Sequence, residues 1–224
     1  MRPPPLPRSP GPAEGTIFAL CLILLDYGIS LVYPPSAPSL SSAGLVRLTS
    51  VRAVEIALFA VYFCSRGSGI MWLGLGKNEL KRGLAAGASG SVVLASGALL
   101  AEAAMRLAGK GSFLRLVSGP PGLDFAALVP AALLFGPLFE ELLFRALLYA
   151  PLRKRFGVLP ALTLTTVLFA GAHMIGAGAR LPWVQSVGGA FFCLALEYSG
   201  SMLAPFMIHA LGNAAIFLMP RLLP

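Results

Sequence analysis

The chain has 224 residues, of which 57% are hydrophobic and only 12% are charged. Soluble domains carry about 25% charged residues, so this composition excludes an ordinary soluble protein and indicates one integral membrane domain. The net charge is +8. Because the sequence has no glycine-rich phosphate loop and no basic run interleaved with aromatic residues, we expect the basic residues to meet anionic lipid headgroups and not nucleic acid.

Proline dominates residues 1–14, which we expect to form a disordered tail before an integral membrane domain over residues 15–224. Spans of about 20 apolar residues cross a bilayer as helices. The pattern therefore predicts an all-α, polytopic transmembrane bundle of about six to eight spans. The basic residues favour the side that holds the N-terminus, which we expect to be cytoplasmic. The apolar runs that predict spans are 16–34, 51–64, 84–105, 123–151, 157–176, 183–198 and 202–219.

Two further features of the apolar runs carry no chemistry in this interpretation. The three cysteines are far apart without metal-ligand spacing, so we expect free thiols and no disulfide. Glu197 lies near the end of a span and is expected to reach the membrane interface, whereas Asp26 lies near the middle of one and has no assigned role beyond a helix contact.

The run 123–151 contains Glu140, Glu141 and Arg145, although charged side chains cost roughly 2.5–3.5 kcal/mol each at membrane depth. Arg145 follows Glu141 by one helical turn, so these two are expected to pair. Glu140 is then left without a partner on its own helix and is the candidate general base. Pro137 interrupts the helix just before this pair and is expected to free the carbonyl of Leu133. A structural ion pair with a stray glutamate is the alternative.

The chain has two histidines, and each begins or ends a pair of residues one helical turn apart. Phe169 and His173 share a face, so the phenyl ring can wall one side of the imidazole. His209 and Asn213 present two hydrogen-bond donors on one stripe of the last span. A carboxylate, an imidazole and a pair of donors are suited to water-mediated hydrolysis of an acyl bond, although each histidine alone could be a core hydrogen-bonding residue.

The ordered motifs Glu-Glu-x-x-x-Arg (140–145), Phe-x-x-x-His (169–173) and His-x-x-x-Asn (209–213) resemble those of the CPBP intramembrane proteases. That family includes the type II CAAX prenyl endopeptidases and bacteriocin-processing or self-immunity proteins. The resemblance covers residues 130–217 and implies an intramembrane catalytic cavity within a core at about 123–219. It implies that Glu140 and His173 activate water and that His209 and Asn213 stabilise the oxyanion, with Glu141 and Arg145 in support.

The resemblance further implies an endopeptidase that cleaves a membrane-associated protein or peptide, such as a CAAX-like or sorting tail, lipidated or not, or a leader peptide. The short chain favours a prokaryotic cell membrane. A membrane immunity or binding protein that keeps the same pocket is the alternative function, and a small transporter is a third.

Two mechanisms remain open from the sequence. Glu140, His173 and His209 could form a zinc site of two histidines and one carboxylate. The chain lacks a His-Glu-x-x-His helix, and giving Glu140 to a metal would leave no free base, so a mechanism without a cofactor is favoured.

Overall fold

The computed structural model describes residues 41–65, 73–117, 124–177 and 182–222, together with Gly11, Gly15, Ile17, Phe18, Cys21, Leu22 and Leu24. Apart from those isolated positions, the predicted tail 1–14 and the predicted span 16–34, with Asp26, lie outside these residues. Regular structure within the described ranges is entirely helical, which confirms the all-α prediction. The helices are α1 (Ser42–Ser65), α2 (Lys77–Leu107), α3 (Phe113–Val117), α4 (Phe125–Phe156), α5 (Val158–Ala177), α6 (Trp183–Ser199) and α7 (Leu203–Leu222).

Three of the helices, α1, α2 and α4, are long and apolar enough to cross a membrane. Shorter apolar stretches cover Val158–Met174 of α5 and Leu203–Leu218 of α7. The described helices coincide with six of the predicted apolar runs, but α1 and α2 begin nine and seven residues earlier than predicted, from 51 to 42 and from 84 to 77. The reason is that charged side chains in the first turns of these helices, Arg47 and Lys81 among them, do not interrupt a helix.

Helices α2 and α7 run in the same direction and pack closely along three glycines. A Cβ atom at Gly83 would lie 2.7 Å from the Ser201 hydroxyl, and one at Gly90 would lie 2.6 Å from Ile208. Because α7 begins only after the tight turn at Gly200 (φ +67°), it lies antiparallel to α6. The close packing of α7 against α2 fixes how far along the bundle α7 lies, and with it the positions of His209 and Asn213.

The core lies between α4 and the helices around it. One cluster joins α4 to α1, α5 and α6 through Phe59, Phe139 and Leu196, and a second cluster joins α2, α4, α5, α6 and α7 through Phe144 and Phe169. Cys193 is buried and Cys21 and Cys64 are exposed, and all three are free thiols, as predicted. Helix α4 is therefore the central element against which the site is built.

Candidate active site

Helix α4 changes its winding on both sides of the two glutamates. Val129–Phe135 and Leu142–Tyr149 are π-helical, and the α-helical segment Gly136–Glu141 lies between them. The Gly136 N–H donates to the carbonyl of Ala131, five residues back, and a Cβ atom at position 136 would lie 2.6 Å from that oxygen. A glycine at this position therefore permits the wide turn. π-Helical turns within α-helices are frequent at functional sites.

Pro137 explains why the wide turn leaves one carbonyl free. In the five-residue spacing, the carbonyl of Ala132 lies opposite position 137, where proline has no N–H to donate. The sequence prediction named Leu133 instead, which is four residues before Pro137. That expectation assumes regular α-helical winding and stays a prediction. The Asn213 amide Nδ2 of α7 donates to the Ala132 oxygen at 2.8 Å.

Glu141 is fully buried and contacts two basic side chains. Its Oε2 lies 3.1 Å from Arg145 Nε, so the predicted pair one turn apart is present. Its Oε1 accepts a hydrogen bond from His209 Nδ1 at 2.8 Å. Since a carboxylate beside an arginine is an acceptor only, Nδ1 of His209 carries the proton of this bond. Glu141 thus joins α4 to α7 and sets the orientation of the His209 ring.

Arg145 is fully buried and sits in an aromatic cage. Its guanidinium carbon lies 4.6 Å from the centre of the Phe169 ring and 4.9 Å from that of Phe192, and Nη2 donates to the Gly189 carbonyl at 3.2 Å. Cation–π contacts and the ion pair with Glu141 offset the cost of burying the charge. The arginine is held as a fixed positive charge behind Glu141.

His173 is oriented by its own helix. Its Nδ1 lies 2.9 Å from the carbonyl of Phe169, and because a carbonyl can only accept, this nitrogen carries a proton. The Phe169 ring packs against the imidazole with 4.7 Å between ring centres, which confirms the predicted wall. In the neutral ring, Nε2 is therefore the atom with a free lone pair.

Glu140 faces both histidines. Its Oε2 lies 3.7 Å from His173 Nε2 and 3.7 Å from His209 Nε2. Within the described part of the chain this oxygen has no hydrogen-bond partner, although it is buried at the atom level. The Glu140 side chain as a whole is 26% exposed, against 7% for His209, so the cluster opens to the outside on the Glu140 side. Phe192 stacks on the His209 ring and closes the opposite side.

The structure brings together five of the six candidate residues: Glu140, Glu141, Arg145, His173 and His209. The sixth, Asn213, lies one turn beyond His209 and is directed to the backbone of α4. The spacing of residues on one helix predicted the pair Glu141–Arg145. The bond from His209 to Glu141 joins residues 68 apart, so no spacing along a single helix could predict it.

Sequence reasoning missed three polar contacts elsewhere in the bundle. Glu197, which we expect to reach the membrane interface, accepts hydrogen bonds from Tyr149 and Arg153 of α4. Glu55 of α1 and Glu102 of α2 are buried acids that were not singled out, and each pairs with an arginine on its own helix. The arginines one turn away, Arg52 and Arg106, were the available signal.

The geometry also bears on a metal ion. In the described residues, no group of three or more His, Cys, Asp and Glu side chains is arranged closely enough to form a ready metal site. The donor types nevertheless fit zinc, because two neutral Nε2 atoms and one carboxylate oxygen face each other. Each histidine donates its other nitrogen to a carbonyl or a carboxylate, which is the usual support of a metal-ligating histidine.

The fold and the site together define a class of protein: a helical integral membrane protein with a partly buried glutamate–histidine cluster. Residues 122–215 match the family described as type II CAAX prenyl endopeptidase Rce1-like. This match confirms the resemblance to the CPBP intramembrane proteases, which are a protease family. No curated protein and no solved structure matches the chain.

Proposed function

We propose that the protein is an intramembrane endopeptidase in which Glu140 and His173 activate a water molecule to hydrolyse a peptide bond. The observation that carries this proposal is the position of Glu140 Oε2, 3.7 Å from the Nε2 atoms of both histidines and without a hydrogen-bond partner among the described residues. A water molecule between these atoms could donate to Glu140 Oε2 and to His173 Nε2, and the exposed side of Glu140 leaves room for the substrate.

The proposed reaction uses each side chain for one task. Glu140 takes a proton from water, and the neutral His173 orients that water through its Nε2 lone pair. His209 bonds to the carboxylate of Glu141 through Nδ1, so that carboxylate is the counter-ion for a second proton on Nε2, which can then donate to the oxyanion. Glu140 finally passes its proton to the leaving amine, which gives a free carboxylate and a free amine.

The substrate is proposed to be a membrane-associated protein or peptide. A CAAX-like or sorting tail, lipidated or not, and a leader peptide all fit a site whose cluster lies on α4, which is long and apolar enough to cross a bilayer, and on the shorter apolar helices α5 and α7. We further propose a prokaryotic cell membrane, six to eight spans and a cytoplasmic N-terminus. In that orientation the ends of α1, α4 and α6 and the start of α2 would face the cytoplasm, together with Lys77, Lys81, Arg82, Lys154 and Arg155.

A metal-dependent form of the same reaction is the second mechanism, and the hydrogen bonds of both histidines through Nδ1 suit it as well. Glu140, His173 and His209 would hold a zinc ion, which supplies a water of lowered pKa and a Lewis acid. In both mechanisms Glu141 orients His209 and Arg145 balances the charge of Glu141. Elemental analysis of purified protein decides between them. We expect well under one zinc per chain and activity that survives phenanthroline.

The test of the proposed function is a comparison of cells that carry wild-type protein or Glu140→Gln. Proteomics of N-termini and C-termini should show new termini in the wild-type cells that are missing from the Glu140→Gln cells. These termini should share one sequence context. Purified protein in detergent should then cleave a synthetic peptide of that context. If no terminus differs and the purified protein cleaves none of these peptides, the protein is a binding or immunity protein with a protease-like pocket.

A further inference from the structure

We infer that Asn213 is a positioning residue for Glu140, which it holds in place through the Ala132 carbonyl. The inference rests on the proposed peptidase activity, which is its readout, and it gives Asn213 a task in addition to any contact with the oxyanion. Its basis is the hydrogen bond of 2.8 Å between the Asn213 amide and the carbonyl of Ala132, which Pro137 leaves without a backbone donor.

The free carbonyl follows from the local sequence. Gly136 donates to Ala131 and not to Ala132, and Pro137 has no N–H for the next carbonyl in the same spacing. Ala132 is half-buried against the apolar cluster of α1 and α4 that includes Leu45 and Leu128. In such surroundings a backbone carbonyl must find a donor within the protein. Asn213 provides this donor, which stabilises the wide turn.

The wide turn in turn sets the direction of Glu140. One residue of a helix corresponds to a rotation of about 100°, so a change in the spacing of the turn before Gly136 would rotate the segment Gly136–Glu141. Glu140 would then move away from the two Nε2 atoms it now faces at equal distance. Helix α7 holds α4 on both sides of this segment, through Asn213 at Ala132 and through His209 at Glu141.

The oxyanion role makes a different demand on the same amide. An oxyanion donor must direct an N–H at the reacting carbonyl of the substrate, whereas one of the two N–H groups on Nδ2 of Asn213 is committed to a backbone oxygen of α4. If Asn213 acts through Ala132, a backbone N–H restored at position 137 should replace it. If it acts on substrate, a new N–H at position 137 should have no such effect.

The experiment is a double-mutant cycle of Asn213→Ala and Pro137→Ala, with kcat and KM measured on one cleavable peptide well below the melting temperature. With Pro137 in place, Asn213→Ala should lower kcat by about a hundredfold, the typical cost of misplacing a reacting group by about 1 Å. In the Pro137→Ala background the same change should cost less than about fivefold. An equal loss in both backgrounds, or an inactive Pro137→Ala protein, would overturn the inference.

Three additions keep the test decisive. His209→Ala is the matched control, because its loss of kcat should be the same in both backgrounds. If Asn213→Ala does not fold, Asn213→Leu keeps the volume without the donor and takes its place in the cycle. The same cycle in melting temperature should show that Pro137→Ala lessens the loss caused by Asn213→Ala. Wild-type protein that cleaves no peptide would refute the proposed function instead, and the melting cycle would still test the contact.

Discussion

Helix α4 contributes side chains to two polar clusters. The two clusters differ in how many hydrogen bonds their carboxylates accept. In the cluster nearer its C-terminal end, Glu197 of α6 accepts from Tyr149 at 2.8 Å and from Arg153 Nε at 2.7 Å, and its second oxygen accepts from Arg153 Nη2 at 3.3 Å. In the middle of α4, Glu140 faces two histidines at 3.7 Å, and its Oε2 has no hydrogen-bond partner among the described residues.

The difference separates a carboxylate that holds helices together from one that is available for chemistry. A fully bonded carboxylate stabilises the fold and has little capacity left to accept a proton. A carboxylate left partly unbonded within the bundle costs stability, and such groups persist where they have a function. Glu141 lies between these two cases: its Oε1 accepts from His209 and its Oε2 lies 3.1 Å from Arg145 Nε, but among the described residues Oε2 makes no hydrogen bond.

The same substitution in the two clusters should have opposite effects. Glu140→Gln should lower cleavage by at least about a thousandfold, because it removes the general base, and should leave the melting temperature unchanged or higher. Glu197→Gln should retain activity within about threefold and lower the melting temperature. Cleavage assays and thermal unfolding of both variants check this pair. Near wild-type activity of Glu140→Gln would contradict the assignment of the base.

Glu141→Gln should reduce both stability and activity, and so should combine the features of the two clusters. The change leaves Arg145 buried without its counter-ion, at a cost of roughly 3–5 kcal/mol, and weakens the bond that orients His209. Arg145→Ala should have a similar effect on unfolding. Thermal unfolding in detergent measures the stability, and kcat measured on the fraction that remains folded tests the orientation of His209. A normal kcat would mean that Glu141 is structural only.

Gly136→Ala should lower activity by about ten- to a hundredfold through the backbone alone. The added methyl group would lie 2.6 Å from the Ala131 oxygen, so the wide turn before Glu140 must change. Gly171→Ala is the matched control, because nothing lies within 4 Å of a Cβ atom at that position in the described structure. Steady-state kinetics on both variants should show a loss for the first only.

The smallest effect is expected from Tyr149→Phe. Tyr149 is fully buried, and its hydroxyl donates to a carboxylate that Arg153 also binds. Loss of this hydrogen bond should cost about 1–2 kcal/mol of unfolding free energy and leave cleavage within about twofold of wild type. Chemical denaturation in mixed micelles measures the first, and the peptide assay the second. A large loss of cleavage would show that the two clusters are coupled.

Much of the site was predictable because its pairs lie one turn apart on single helices. Glu141 with Arg145 and Phe169 with His173 need only a helical period and an apolar environment, and both contacts are present. The bond from His209 to Glu141 and that from Asn213 to Ala132 were not predictable, because they depend on how α7 packs against α4. The free carbonyl of Ala132 was not predicted either, because the wide winding before Gly136 cannot be read from the spacing of residues.

The sequence by itself determined that the chain is helical and suited to a membrane, and which side chains could take part in chemistry. Composition and apolar length decide the first, and the cost of a charged group in an apolar span decides the second. Only the tertiary structure decided the partners of these side chains. Glu197 hydrogen-bonds to α4, His209 hydrogen-bonds to Glu141, and Glu140 faces two imidazoles. The physical reason is that hydrogen bonds between helices depend on the rotation and height of each helix. These are set by packing between helices at positions such as Gly83 and by the winding of α4 at Gly136.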